Sequence, residues 1–306
     1  MRLPLFLLTT SLALIAALKA SATLIAYDGF ILGDGISTGY TEGADIDGVG
    51  FGSGDGWTGA NATTYATSNT PLVASATALT YTTGAGQILT TSGGSASGNG
   101  TFGSRNGSTI RGVTYTVNDG ESLWMSYLIQ YGRLEDTLTY FGAGLRNGAG
   151  TPTANNGFAA IVNDSDVNND IGVRYTNTNQ FTTDLDAPIN DTMLVVMKWT
   201  YSDGGNDPFS IWFNPNDISS EAALGAADLV NNSRNMNIAG DVILYRQKDA
   251  TASSGFYIID EVRLATTLAD AAPFTPVPEP STYALFGGFL GLATVALFRR
   301  KKFECG

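Results

Sequence analysis

Catalysis and ligand binding need side chains that exchange protons, hold metals or attack carbonyls, and this chain offers a narrow choice of them. It has no histidine and a single cysteine, Cys305, among 306 residues. That excludes a Ser-His-Asp triad, a Cys-His dyad and a His-ligated zinc or haem site. One cysteine also excludes an internal disulfide framework. Carboxylates remain. Glycoside hydrolysis uses a pair of them, about 5 Å apart for retention and further for inversion. The glutamates ahead of the Pro-rich spacer at 271–282 are Glu42, Glu121, Glu135, Glu221 and Glu261. They form no Glu-x-Asp-x-x-Glu strand. Two acidic pairs, Glu135-Asp136 and Asp260-Glu261, are adjacent, so on a strand the members point to opposite faces. Glu261 is placed to pair instead with Arg263, two residues on. The expectation is a protein that is not an enzyme, with a glycoside hydrolase as the less favoured alternative.

Binding chemistry has two candidates. The run Asn163-Asp164-Ser165-Asp166-Val167-Asn168-Asn169-Asp170 crowds hard oxygen donors, with Asp164, Asp166, Asn168 and Asp170 the candidate calcium ligands. Calcium takes 6 to 8 oxygens, and Asp-x-Asp-x-Asn resembles the start of an EF-hand loop. The loop departs from that pattern at its sixth position, Asn169 in place of Gly, and at its twelfth, Tyr175 in place of Glu. It is not an EF-hand; the readings left are a calcium loop of another kind and an Asx-rich hairpin turn. No other cofactor is expected. Carbohydrate binding needs an aromatic platform beside polar groups. Trp57, in a Gly-rich stretch, is the candidate for glycan contact, whereas Trp124, Trp199 and Trp212 lie in strand-like runs and are expected in the core.

The elements that would position these residues are strands. Short apolar runs bounded by Gly, Asn, Asp, Ser and Thr recur along the body of the chain, most of them rich in β-branched and aromatic residues. The expected strands are 24–30, 78–83, 110–117, 122–131, 137–145, 157–162, 172–176, 193–201, 209–214, 241–247 and 255–264. In Phe209-Ser210-Ile211-Trp212-Phe213 the alternation puts Phe209, Ile211 and Phe213 on one side. Residues 219–230 read as the one helix, and the Gly, Ser and Thr-dominated stretch 84–108 as a long exposed loop. The fold class is all-β, a jelly-roll-like antiparallel β-sandwich over residues 23–270.

The two ends read differently. Arg2, the apolar run from Leu3 to Leu18 and the small-residue triplet Ala20-Ser21-Ala22 make a secretory signal peptide over 1–22, cleaved after Ala22. At the other end a Pro-rich spacer, 271–282, carries Pro278-Glu279-Pro280. An uncharged run, Tyr283 to Phe298, follows as a single transmembrane helix of about 24 Å at 1.5 Å per residue. The basic cluster Arg299, Arg300, Lys301 and Lys302 opens the tail 299–306 and holds it on the cytoplasmic side. The formal net charge is −12. With both ends removed, residues 23–282 keep 10 of the 16 basic residues and 27 of the 28 acidic ones, a net −17. A domain that acidic lacks the footprint for nucleic acid.

The order Pro-Glu-Pro, apolar helix, basic cluster resembles the PEP-CTERM sorting signal of Gram-negative bacteria, over about 25 residues. The resemblance implies that an exosortase, an integral-membrane transpeptidase-like enzyme, processes the tail, and that Pro278, Glu279, Pro280 and Arg299 to Lys302 are the sorting residues. It further implies an inner-membrane-anchored intermediate and a final place at the cell surface or in the extracellular matrix, with extracellular polysaccharide as a partner. Tyr27-Asp28-Gly29-Phe30, Gly54-Asp55-Gly56-Trp57, Ile211-Trp212-Phe213 and the closing Asp260-Glu261-Val262-Arg263 together resemble the concanavalin-A/LamG-like jelly rolls of exported proteins. That likeness implies the sandwich, and with it a lectin-like carbohydrate-binding role, calcium-assisted or not, as the alternative to a purely structural one.

Overall fold

The computed structural model describes residues 23–33, 40–43, 46, 56, 72–101, 107–132, 139–146, 157–163, 169–175, 178–186, 188, 190–232, 241–247 and 254–275. The regular structure there is almost wholly strand. In order these are β1 (Leu24–Asp28), β2 (Val73–Ser75), β3 (Ile88–Leu89), β4 (Ser95–Thr101), β5 (Gly107–Gly112), β6 (Ser122–Tyr131), β7 (Thr139–Arg146) and β8 (Gly157–Asn163). Then come β9 (Asn169–Tyr175), β10 (Thr178–Asp186), β11 (Met193–Thr200), β12 (Phe209–Phe213), β13 (Leu229–Asn231), β14 (Asp241–Gln247) and β15 (Ser254–Ala265). A four-residue helix α1 (Leu268–Ala271) and β16 (Phe274–Thr275) follow.

The strands pair antiparallel into two large sheets. One runs β13-β12-β11-β6-β15-β4-β2, with β1 also on β15; the other runs β10-β9-β8-β7-β14-β5. Between them lies one core. Leu123, Met125, Tyr127, Ile129, Met197, Trp199, Phe209, Ile211 and Leu264 of the first sheet bury against Ala143 and Leu145 of the second. This is a two-sheet antiparallel sandwich.

The first sheet is buried on its other face as well. Trp124, Leu128, Leu194, Val196 and Trp212 pack there against Leu79, Leu89, Ile218, Leu224, Leu268 and Ala271. Segments 77–90, 215–228 and 266–274 form that cover. It explains why β6 and β11 read as nearly continuous apolar runs and not as alternating ones. β12 divides as its alternation predicts: Phe209, Ile211 and Phe213 join the inter-sheet core and Trp212 the outer cluster. Trp124 and Trp212 stack there at 5.9 Å. All three strand tryptophans are buried.

Three expectations fail. Residues 78–83 form no strand: Thr82 makes a single bridge to Ile88. Residues 219–230 form no helix: Glu221 to Leu224 make a turn, and Leu229–Asn231 is strand β13 on the sheet edge. The Ser220 hydroxyl accepts from the Ala223 amide as a helix cap would, but Gly225 (φ 75°) ends the turn at once. Nor is 84–108 an exposed loop. It holds β3, β4 and the start of β5, and Ser95 and Ala96 are fully buried. Its glycines answer to close packing: a Cβ on Gly98 would sit 1.8 Å from the Tyr257 hydroxyl, and one on Gly93 (φ 91°) 2.3 Å from the Gly29 carbonyl. Sequence composition alone makes such a strand look like a linker, because Gly and Ser are poor strand formers except where another group approaches closely.

Trp199 is fully buried and stacks on Phe209 at 5.7 Å. Trp199→Ala is expected to lower unfolding free energy by about 3–5 kcal/mol, read as a shift of the urea midpoint at unchanged slope. A loss under 1 kcal/mol would mean that the inter-sheet core does not carry the fold.

Candidate functional site

Of the residues singled out in the sequence, most fall outside the described part. Trp57, Glu135, Asp136, Asp164, Asp166, Asn168, Ala20, Ala22, the Pro278-Glu279-Pro280 motif, the helix 283–298 and the basic cluster all lie there. Asn163 and Asn169, at the two ends of that run, are register partners, and Asp170 is the second residue of β9, opposite Val162. Among the described residues no group of three or more His, Cys, Asp or Glu side chains is gathered for a metal, and no helix is long and apolar enough to cross a membrane.

The acidic pair that is described, Asp260-Glu261, is the centre of a dense polar cluster. β15 pairs with β6 along one side. Along the other it pairs first with β4, through Ile259, and then with β1, from Val262. Where the partner changes, a bulge interrupts the register between Asp260 and Arg263, and Glu261 takes φ +54°. A bulge cancels simple alternation. Asp260 and Glu261 are therefore both fully buried, not split between a wet and a dry face.

Each oxygen has a partner. Asp260 accepts from the Glu261 amide at 2.7 Å and the Leu79 amide at 2.8 Å. Glu261 accepts from the Ser92 amide at 2.5 Å, from the Tyr27 hydroxyl at 3.0 Å to each oxygen, and from the Arg263 guanidinium at 2.7 Å. The expected Glu261–Arg263 pair is present. Arg263 also donates to the Thr90 carbonyl at 3.0 Å and lies over the Tyr27 ring at 4.1 Å. Beside it, buried Asp28 accepts from the Phe30 amide at 3.0 Å and the Tyr40 hydroxyl at 2.8 Å.

Burial pushes the Asp260 carboxyl up to about 8, and the charges of Glu261 and Asp28 add to the rise; the amides of Leu79 and Glu261 oppose it. Burial likewise raises the Tyr27 phenol. A carboxyl with a pKa near neutrality beside a second carboxylate is the pattern of acid-base catalysis. Here both carboxylates are sealed, and a sugar ring has no approach to either. The cluster fastens β1, β4 and the 77–92 segment to β15. Sequence reading found Glu261–Arg263 but missed Tyr27, Asp28, Tyr40 and Ser92, whose partners are 12 to 234 residues away.

The comparisons with known proteins bear first on the tail. Residues 276–301 match the model of the PEP-CTERM protein-sorting motif. The motif marks the chain for export and for processing by an exosortase at the membrane of a Gram-negative bacterium. In structure the chain is similar to an endo-β-1,4-glucuronan lyase from the fungus Trichoderma reesei, with 11% identity and a TM-score of 0.46 over 76% of this chain and 97% of that one. It is also similar to the alginate lyase Aly36B (13%, TM-score 0.38, 58% and 82% covered) and to the alginate lyase vAL-1 from Chlorella virus (9%, TM-score 0.36, 59% and 88% covered). No curated protein matches the chain.

Two outcomes test the cluster. Glu261→Ala leaves Arg263 buried and unpaired and is expected to cost about 3–5 kcal/mol of stability. For Asp260 the folded pKa lies above the unfolded one, so its contribution is fully present below about pH 4 and is lost as pH rises toward 8. Urea midpoints of the parent should fall across pH 4–8 relative to those of Asp260→Asn, which has no carboxyl to ionise. Parallel profiles would show that Asp260 is ionised throughout.

Proposed function

We propose that this is a non-enzymatic surface or matrix protein: a rigid, acidic β-sandwich delivered through the general secretory route, held for a time by its C-terminal helix, and released to the cell surface or the extracellular polysaccharide. The observation that carries the reading is the PEP-CTERM match at 276–301, directly behind the last strand of the domain. The acidic composition supports a soluble exterior domain, since a net −17 repels an anionic membrane surface. The sealed state of Asp260 and Glu261 supports a structural use of the one acidic pair in view. In this reading the signal peptide 1–22, the sandwich 23–270, the spacer 271–282, the helix 283–298 and the tail 299–306 are successive working parts, and Pro278, Glu279, Pro280 and Arg299 to Lys302 are the residues that act.

The second reading is carbohydrate binding, in which Trp57 in its Gly-rich stretch supplies an aromatic platform. Aromatic platforms with planar polar groups beside them suit sugar rings. Calcium at Asp164, Asp166, Asn168 and Asp170 and stacking on Trp57 belong to this second reading.

Glu279→Gln and a deletion of 299–302 are each expected to leave the full-length chain in the membrane fraction of an exosortase-bearing host, while the parent is processed and leaves it. Sorting of both variants like the parent would sink the reading. A glycan array run with and without EDTA decides between the two readings: signal on an array, lost in Trp57→Ala, selects the second.

A further inference from the structure

The last ten described residues, Thr266 to Thr275, form a strap tied down along its whole length. Thr266 exchanges hydrogen bonds with Thr23, its amide to the Thr23 carbonyl at 3.1 Å and its hydroxyl accepting from the Thr23 amide at 3.3 Å. Thr267 caps α1 by accepting from the Asp270 amide. Ala271 and Ala272 are fully buried, and the Ala271 carbonyl accepts from the hydroxyl of buried Ser126 on β6. The Pro273 carbonyl accepts from the Thr90 amide at 2.8 Å. Finally β16 pairs with β3, Phe274 opposite Leu89 and Thr275 opposite Ile88, and Phe274 packs on the outer apolar cluster.

The sorting motif begins at residue 276, the next residue after this strap. The covalent chain then bounds the geometry. From Thr275 to Glu279 is four residues, at most about 14 Å of extended chain, and from Thr275 to the apolar run at Tyr283 eight residues, at most about 28 Å. A membrane enzyme acting near Pro278-Glu279-Pro280 works in that gap, with the folded sandwich on one side and the bilayer on the other. The strap's end is its weakest part: β16 is two residues long, Phe274 is half-buried and Thr275 is exposed. Short pairings at a chain end open locally, at a fraction of the cost of global unfolding.

We propose that the docked strap sets the reach of the sorting segment, and that β16 is a reserve of tether released when the gap is too short for the processing enzyme. The proposal rests on the sorting reading above and adds a role for residues outside the motif. Opening β16 frees two residues, about 7 Å of chain.

The test uses the full chain in an exosortase-bearing host, with the processed fraction read by immunoblot. Deleting Pro276 and Val277 removes as much chain as β16 holds. It is expected to lower the rate of processing about tenfold, because only the fraction of chains with β16 open then reaches the enzyme. Adding Phe274→Ser to that deletion should restore the rate to within about twofold of the parent, because β16 then opens freely; the same rescue shows that length, and not the identity of the deleted residues, was limiting. Hydrogen exchange on the purified domain supplies a second readout. The Thr90 amide should be protected in the parent and exchange freely in Phe274→Ser, with the melting of the rest retained. A deletion variant processed at the parental rate overturns the proposal and leaves the sorting reading standing, and so does a deletion that Phe274→Ser fails to rescue although Thr90 exchanges freely. A parent chain that stays unprocessed overturns both.

Discussion

The sandwich depends on a change of partner along one strand. β15 is twelve residues long and lies inside its sheet, but no single neighbour covers its outer side: β4 pairs with its first half and β1 with its second. Two strand ends meeting end to end leave backbone groups at the junction without ladder partners, and buried amides need partners. The bulge at Asp260–Arg263 answers this with side chains. Asp260 takes the Leu79 and Glu261 amides, Glu261 takes the Ser92 amide, and Asp28 takes the Phe30 amide. Three carboxylates thus replace ladder carbonyls. Their negative charge is gathered at one place, where Arg263 offsets part of it and Asp260 is pushed toward its neutral form.

The same joint reaches the covering layer and the two ends of the domain. Thr90, whose carbonyl holds Arg263, donates its amide to Pro273 of the strap. Thr23, one residue ahead of β1, bonds Thr266, one residue beyond β15. Residue 23, where the signal peptide is expected to end, and residue 275, behind which the sorting motif begins, therefore belong to segments laid against one another.

How much of this could be read from the sequence follows from what each signal measures. Local patterns held: β6, β11, β12, β14 and β15 all stand where β-branched and aromatic runs placed them, since that signal is carried by residues next to one another in the chain. The tail was the most legible part, because its three features sit in a fixed order with no tertiary context. What could not be read was long-range. β4 carries Ser95, Ala96, Gly98 and Gly100, a composition that says linker until Tyr257 is known to lie over Gly98. Residues 219–230 had helix-forming Ala and Leu, but Leu224 and Leu229 are claimed by different parts of the core, and a regular helix cannot serve both.

The carboxylate joint shows why chemical motifs mislead in such a fold. Asp260 has the marks of a catalytic acid: raised pKa, a second carboxylate adjacent, an arginine and a tyrosine within hydrogen-bond reach of that neighbour. Every one of those marks arises equally from the need to satisfy buried amides without a ladder. What separates the two uses is access. A catalytic carboxyl needs an open lone pair or proton on a path to solvent, and here each oxygen is already bonded inside the protein and neither residue has exposed surface. Catalysis at this point would require the bulge to open, and opening it would unpair β1 and β4 from β15 together. The stability of the sandwich and the silence of its acidic centre are one property.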